Sequence, residues 1–135
     1  MAVESTEFIA TLRNAASQGQ EVDRVAAAAL ARGVENIYIA GCGGTQAIMY
    51  PGKYLMDVHS RLPCYAINAG ELVQLAPRAL GPRSLVILSS YTGTTRETVA
   101  AARSVLGAGR EVVRQAVAVQ VGRQLVDDLR PQRRV

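Results

Sequence analysis

Ser84-Leu-Val-Ile-Leu-Ser89, running into Ser90-Tyr91-Thr92-Gly93-Thr94-Thr95, is the stretch on which the fold turns. The first part is apolar, β-prone and of strand length. Such a run, bounded by small residues, is the pattern of a strand buried on both faces, as in a parallel sheet. From Thr95 to Leu106 the apolar residues return at helical spacing. The grammar is therefore strand, small-residue loop, helix. The same grammar occurs upstream, where Asn36-Ile-Tyr-Ile-Ala40 ends in Gly41, Gly43 and Gly44 and leads to good helix formers over residues 45–60. Pro51-Gly52 is expected to kink that helix or delay its start. Pro63-Cys-Tyr-Ala-Ile67 reads as another strand, residues 70–75 as a brief helix, and Pro77, Gly81 and Pro82 as a loop.

Two helices lead in. Residues 5–18 carry Ser5 and Thr6 as caps and Phe8, Ile9 and Leu12 at helical spacing. Residues 20–32 place Val22, Val25, Ala26, Ala29 and Leu30 on one side, with Gly33 where a C′ glycine stops a helix. The order α-α-β-α-β-α-β-α predicts the α/β class: a three-layer α-β-α sandwich around a short parallel sheet. Right-handed crossovers put every strand's C-terminal end on one edge, so both small-residue loops meet where open α/β sheets bind ligands. Beyond Leu106 two readings stand. Residues 115–121 form a fourth strand followed by a short helix over 123–129, or one helix runs over 110–129.

The 135 residues suit a single domain, 1–135. A composition of 49% hydrophobic and 19% charged residues argues against disorder. No apolar run reaches the roughly 18 residues of a membrane span, and the acidic N-terminus does not resemble a secretory signal, so the cytoplasm is the expected compartment. Cys42, Cys64 and the single His59 are too few for a zinc site and read as small buried thiols and a helix-end histidine. No metal and no cofactor is expected. Residues 103–135 hold seven arginines against three acids, a difference equal to the net charge of +4. Without interleaved aromatics or a DNA-reading motif this end reads as a solvated basic tail, and nucleic acid is not an expected partner.

The chemistry lies in the two loops. In Gly41-Cys42-Gly43-Gly44-Thr45 the glycines let backbone approach an anion, with N–H groups at the next helix start pointing toward it. A tight structural turn is the competing account. In the second loop Ser90, Thr92, Thr94 and Thr95 gather four hydroxyls around Gly93 directly after a buried strand. Helix capping needs one hydroxyl; a phosphate can use several. That loop is read as an anion site.

The pattern Ser90-x-Thr92-Gly93-x-Thr95-x-Glu97-Thr98 resembles the phosphate loop of sugar isomerase (SIS) domains, which have a flavodoxin-like sheet. Gly41–Thr45 is similar to the family's first loop, and Asn68-Ala-Gly-Glu71 stands where the family often has Ser-Glu-Phe. The stretch 49–55 looks like the fructosamine-6-phosphate deglycase and glucosamine-6-phosphate synthase-like branch, with the likeness covering about residues 7–104. The resemblance implies a phosphorylated sugar or amino sugar as ligand. It implies Ser90, Tyr91, Thr92, Gly93 and Thr95 around the phosphate, and Gly43, Gly44 and Thr45 beside the sugar. Position 91 is usually polar in the synthase relatives. It also implies a homodimer or higher homo-oligomer.

Relatives of this branch carry two SIS lobes, and much of their acid/base machinery lies in the second. Residues 105–135 do not continue the pattern and read as a divergent, truncated or frame-shifted end. Isomerisation or deglycation needs a general base and an acid. Glu71 is the catalytic candidate, with a helix-dipole role as its alternative; Glu97 reads as a capping residue. Two functions stay open: a SIS domain of an isomerase or deglycase, catalytically incomplete, or a non-catalytic sugar-phosphate-sensing module.

Overall fold

The computed structural model describes residues 9, 10, 13, 16–107 and 117–120. The described positions 9, 10, 13, 16 and 17 are helical; the other positions of the first expected helix lie outside the described residues. The elements are α1 (Gly19–Ala31), β1 (Asn36–Gly41), α2 (Gly44–Ala47), α3 (Tyr50–His59), β2 (Cys64–Asn68), α4 (Ala69–Leu75), β3 (Ser84–Ser90), α5 (Arg96–Gly107) and β4 (Val117–Gln120). The four strands lie in the order β2-β1-β3-β4, every pairing parallel. The α/β sandwich is therefore the fold.

Successive strand residues point to opposite faces, and β1 shows both. Tyr38 and Ala40 pack with Val86 and Leu88 of β3 against Ala69 and Leu72 of α4 and Ala101, Ala102 and Val105 of α5. Ile37 and Ile39 face the other way, onto Ala29 of α1 with Val34, Cys64 and the half-buried Met49 and Met56. Ala101 and Ala102 let α5 pack closely on the sheet. Gly33, at φ +76°, ends α1 with its N–H on Leu30 O at 3.0 Å, as a C′ glycine should.

Two expectations need correction, and the interruption expected at Pro51-Gly52 is found. The apolar side of α1 is not buried as a whole: Val22 and Leu30 are 48% and 59% exposed, while Ala29 is fully covered. On this side only Ala29 is buried; Val25 is half-buried and Ala26 is exposed. Residues 45–60 do not form one helix. Pro51 sits in the first turn of α3, where its missing N–H costs nothing, and this isolates α2 as a single turn. Of the cysteines only Cys64 is buried; Cys42 is half-exposed.

Between the two readings of the C-terminal stretch, the described residues decide for a strand. Val117–Gln120 pairs with the open edge of β3 in the register Ile87↔Val117 to Ser90↔Gln120. β-Branched valines at 117 and 119 suit it. The expected short helix over 123–129 lies outside the described residues.

Candidate functional site

The strand order places β1 and β3 side by side. The connection from β1 leads outward to β2, and that from β3 leads the opposite way to β4. The loops after β1 and β3 thus diverge, opening the crevice that forms where strand order reverses in doubly wound sheets.

The first loop is built around Gly41. A Cβ there would lie 3.0 Å from Gln46 N, 3.0 Å from Thr45 Oγ1 and 3.2 Å from Ser89 O. Only glycine lets the loop close against the end of β3. Thr45 then locks the turn, its hydroxyl donating to Cys42 O at 2.9 Å and accepting the Cys42 N–H at 3.2 Å. Gly43 has φ +57° and ψ −124°, and its carbonyl accepts from Gln46 N and Ala47 N, both at 3.1 Å. The N–H groups of Gly44 and Thr45, at the start of α2, have no intrahelical acceptor. With one turn behind them, they offer local donors rather than a developed helix dipole.

In the second loop, Ser90 lies buried at the end of β3. Its Oγ accepts the Gly93 N–H at 3.0 Å and lies 3.1 Å from Thr95 Oγ1. Gly93 is itself buried, at φ +75°, a conformation that favours glycine. Thr92 Oγ1 accepts the Thr94 N–H at 3.2 Å and pairs with Thr94 Oγ1 at 2.8 Å. Val99 N to Thr95 O, 2.9 Å, opens the hydrogen-bonding of α5. Cys42 Sγ lies 3.9 Å from the hydroxyl of the fully buried Thr98, a weak tie between the loops.

Gly44 and Thr45 from the first loop and Tyr91, Thr92 and Thr95 from the second line one cleft of about 510 Å³, together with Cys42 and Ile48. Gly43, Ser90 and Gly93 do not line it. Ser90 and Gly93 lie beneath the loop and shape it, and Gly43 turns the chain into α2. Cys42 and Ile48 are the residues sequence reasoning missed. Cys42 stands inside the glycine loop, which was a signal; Ile48 reaches the cleft because the helix breaks before Pro51.

Glu71 stands on the same sheet edge, at the N-terminus of α4. Asn68 Oδ1 accepts the Gly70 N–H at 2.9 Å, and Glu71 Oε2 accepts the Asn68 N–H at 3.4 Å, a capping box. Asn68 Nδ2 also donates to Gln46 Oε1 at 3.3 Å, tying this helix start to the first loop. Glu97 lies against Gly70, and His59 is exposed in the last turn of α3. Among the described residues no three of His, Cys, Asp and Glu gather as a metal group, and no helix is long and apolar enough to cross a membrane.

The SIS domain family model matches residues 31–117, well over half of the chain. The chain belongs to the SIS domain family. It is 43% identical over 77 residues to fructosamine deglycase FrlB of Bacillus subtilis (strain 168), covering 56% of this chain and 24% of that protein. Two crystal structures share its fold at 37% identity, both of proteins assigned as phosphosugar isomerases. The one from Bacillus subtilis has a TM-score of 0.53 and covers 66% of this chain and 25% of its own. The one from Salmonella typhimurium LT2 has a TM-score of 0.59 and covers 73% and 28%. This SIS domain thus spans about a quarter of the length of the relatives it matches.

Proposed function

We propose that this SIS domain binds a phosphorylated sugar or amino sugar in the cleft between its two loops. In this reading Thr92, Thr95 and the backbone N–H of Tyr91 hold the phosphate, Ser90 and Gly93 set the loop's shape, Gly44 and Thr45 border the sugar, and Gly43 turns the chain so that they can. The observation that carries it is the convergence of Gly44 and Thr45 with Tyr91, Thr92 and Thr95 on one cleft at the switch point of the sheet. Hydroxyls and helix-start N–H groups are the donors that phosphate oxygens require, and the two matched crystal structures are of proteins assigned as phosphosugar isomerases.

The test is a thermal-shift panel of hexose phosphates and amino-sugar phosphates. A ligand at one hundred times its Kd stabilises by about 2.7 kcal/mol, on the order of 10 °C for a domain of this size. Thr92→Val and Thr95→Val should each remove most of that shift. Unchanged melting with every sugar phosphate rejects the proposal.

Turnover is a separate matter. If the domain catalyses aldose–ketose isomerisation or fructosamine-6-phosphate deglycation, Glu71 is the base we assign, and Glu71→Gln abolishes conversion of these substrates. Its carboxylate is engaged in the capping box of α4. That engagement favours the second reading, a sugar-phosphate-sensing module without turnover. We read residues 1–135 as one cytoplasmic unit that self-associates, a reading supported by the exposed Tyr50, Tyr54, Leu55 and Val58 along α3.

A further inference from the structure

Ile48 and Tyr91 are 72% and 74% exposed, and both line the cleft. Tyr91 comes from the second loop and Ile48 from the turn that ends α2. Among the described residues neither belongs to either core cluster of the sandwich. A single exposed apolar side chain is ordinary on any protein surface. Two of them, brought from separate segments to the same cleft, follow a different pattern: an apolar wall beside a few placed polar groups, which is how small-molecule sites are lined. The polar groups here are the hydroxyls of Thr92, Thr95 and Thr45. A phosphate and a sugar ring can use those hydroxyls, but Ile48 can bond none of their oxygens.

We infer that Ile48 and Tyr91 form an apolar rim that determines specificity by gripping an apolar substituent on the sugar phosphate. The preferred ligand is then a hexose phosphate bearing an aryl or alkyl group rather than the bare sugar phosphate. The inference rests on the sugar-phosphate reading of the same cleft. Tyr91 gives the rim an aromatic face on which a second ring can stack or meet edge-on, and Ile48 supplies an aliphatic surface. Covering both removes apolar surface from water.

The test compares two ligands that differ only in the size of their apolar group, methyl β-glucoside 6-phosphate and phenyl β-glucoside 6-phosphate, titrated calorimetrically into the full 135-residue chain. The phenyl compound is expected to bind about tenfold tighter, equivalent to about 1.4 kcal/mol. Ile48→Ala and Tyr91→Ala should each narrow that ratio severalfold. Equal affinities in the unaltered chain, or a ratio that survives both substitutions, overturn the rim and leave the sugar-phosphate site standing. A ratio unchanged by substitutions that abolish self-association in sedimentation would make the rim a chain–chain contact, and overturns the inference equally. Binding of neither glucoside by a folded chain that other hexose or amino-sugar phosphates stabilise overturns the rim and leaves the sugar-phosphate reading standing.

Discussion

Ser90 Oγ lies 3.1 Å from Thr95 Oγ1 while accepting the Gly93 N–H at 3.0 Å. One buried hydroxyl at the end of β3 thereby holds the loop's central glycine and its last threonine together. The loop is shaped from beneath, and its exposed hydroxyls are presented by that support.

Ser90→Ala should therefore act on stability before it acts on binding. The buried Gly93 N–H would lose its acceptor, at a cost of about 1–3 kcal/mol. Urea unfolding measures this directly. Thr94→Val, at an exposed position of the same loop, should change stability by no more than about 0.5 kcal/mol. Equal effects from the two substitutions would show that Ser90 does not hold the loop.

Gly41 and Gly44 make opposite predictions despite standing three residues apart. A methyl group at Gly41 meets two backbone atoms and the locking Thr45 hydroxyl at 3.0–3.2 Å. Gly41→Ala should cost about 1–3 kcal/mol of stability and open the first loop. At Gly44 a Cβ meets nothing within 4 Å, and alanine favours the helical start there. Gly44→Ala should be neutral or stabilise by up to about 1 kcal/mol. Thermal unfolding of the pair separates the two cases.

Alkaline pH should weaken the fold through Cys64. Burial holds its thiol above the ordinary value near 9.0, with Lys53 pulling the other way. An unfolded chain, with a cysteine pKa of about 8.5, gives up that proton first. The contribution of Cys64 is therefore fully present below that value and is lost as pH rises through the folded pKa. Unfolding free energy should fall as pH rises above about 8.5, the unfolded cysteine value, and Cys64→Ala should flatten the fall. An identical slope in the variant would assign the pH dependence to other groups.

Much of the architecture was legible because it rests on local pattern. The runs 36–40, 63–67 and 84–89 are apolar and β-prone, and each is followed by residues that turn and then wind into helix. Alternating strand and helix permits few topologies, and all of them bring the two loops to one edge. The four hydroxyls around Gly93 were equally plain.

Other features depend on what a residue meets across space. No spacing rule places Ser90 below the loop while Thr92 and Thr95 reach the cleft; that follows from the end of β3 being buried by its neighbours. Val22 and Leu30 share a helix side with Ala29, yet of the three only the alanine is buried, which no spacing rule tells apart. The 117–120 stretch resolved as strand because the open edge of β3 offers it a parallel partner.

The sequence by itself determined an α/β sandwich with two small-residue loops after buried strands, since apolar periodicity and turn residues act within a few neighbours. Tertiary structure alone decided which loop residues line the cleft. Gly41 had to be glycine because Ser89 O stands 3.2 Å from where its Cβ would be, and Ile48 joined Tyr91 at the cleft because Pro51 ended one helix and began another. Close approach between segments distant in sequence is a property of the packed molecule, and it is that approach which turns two ordinary loops into one site.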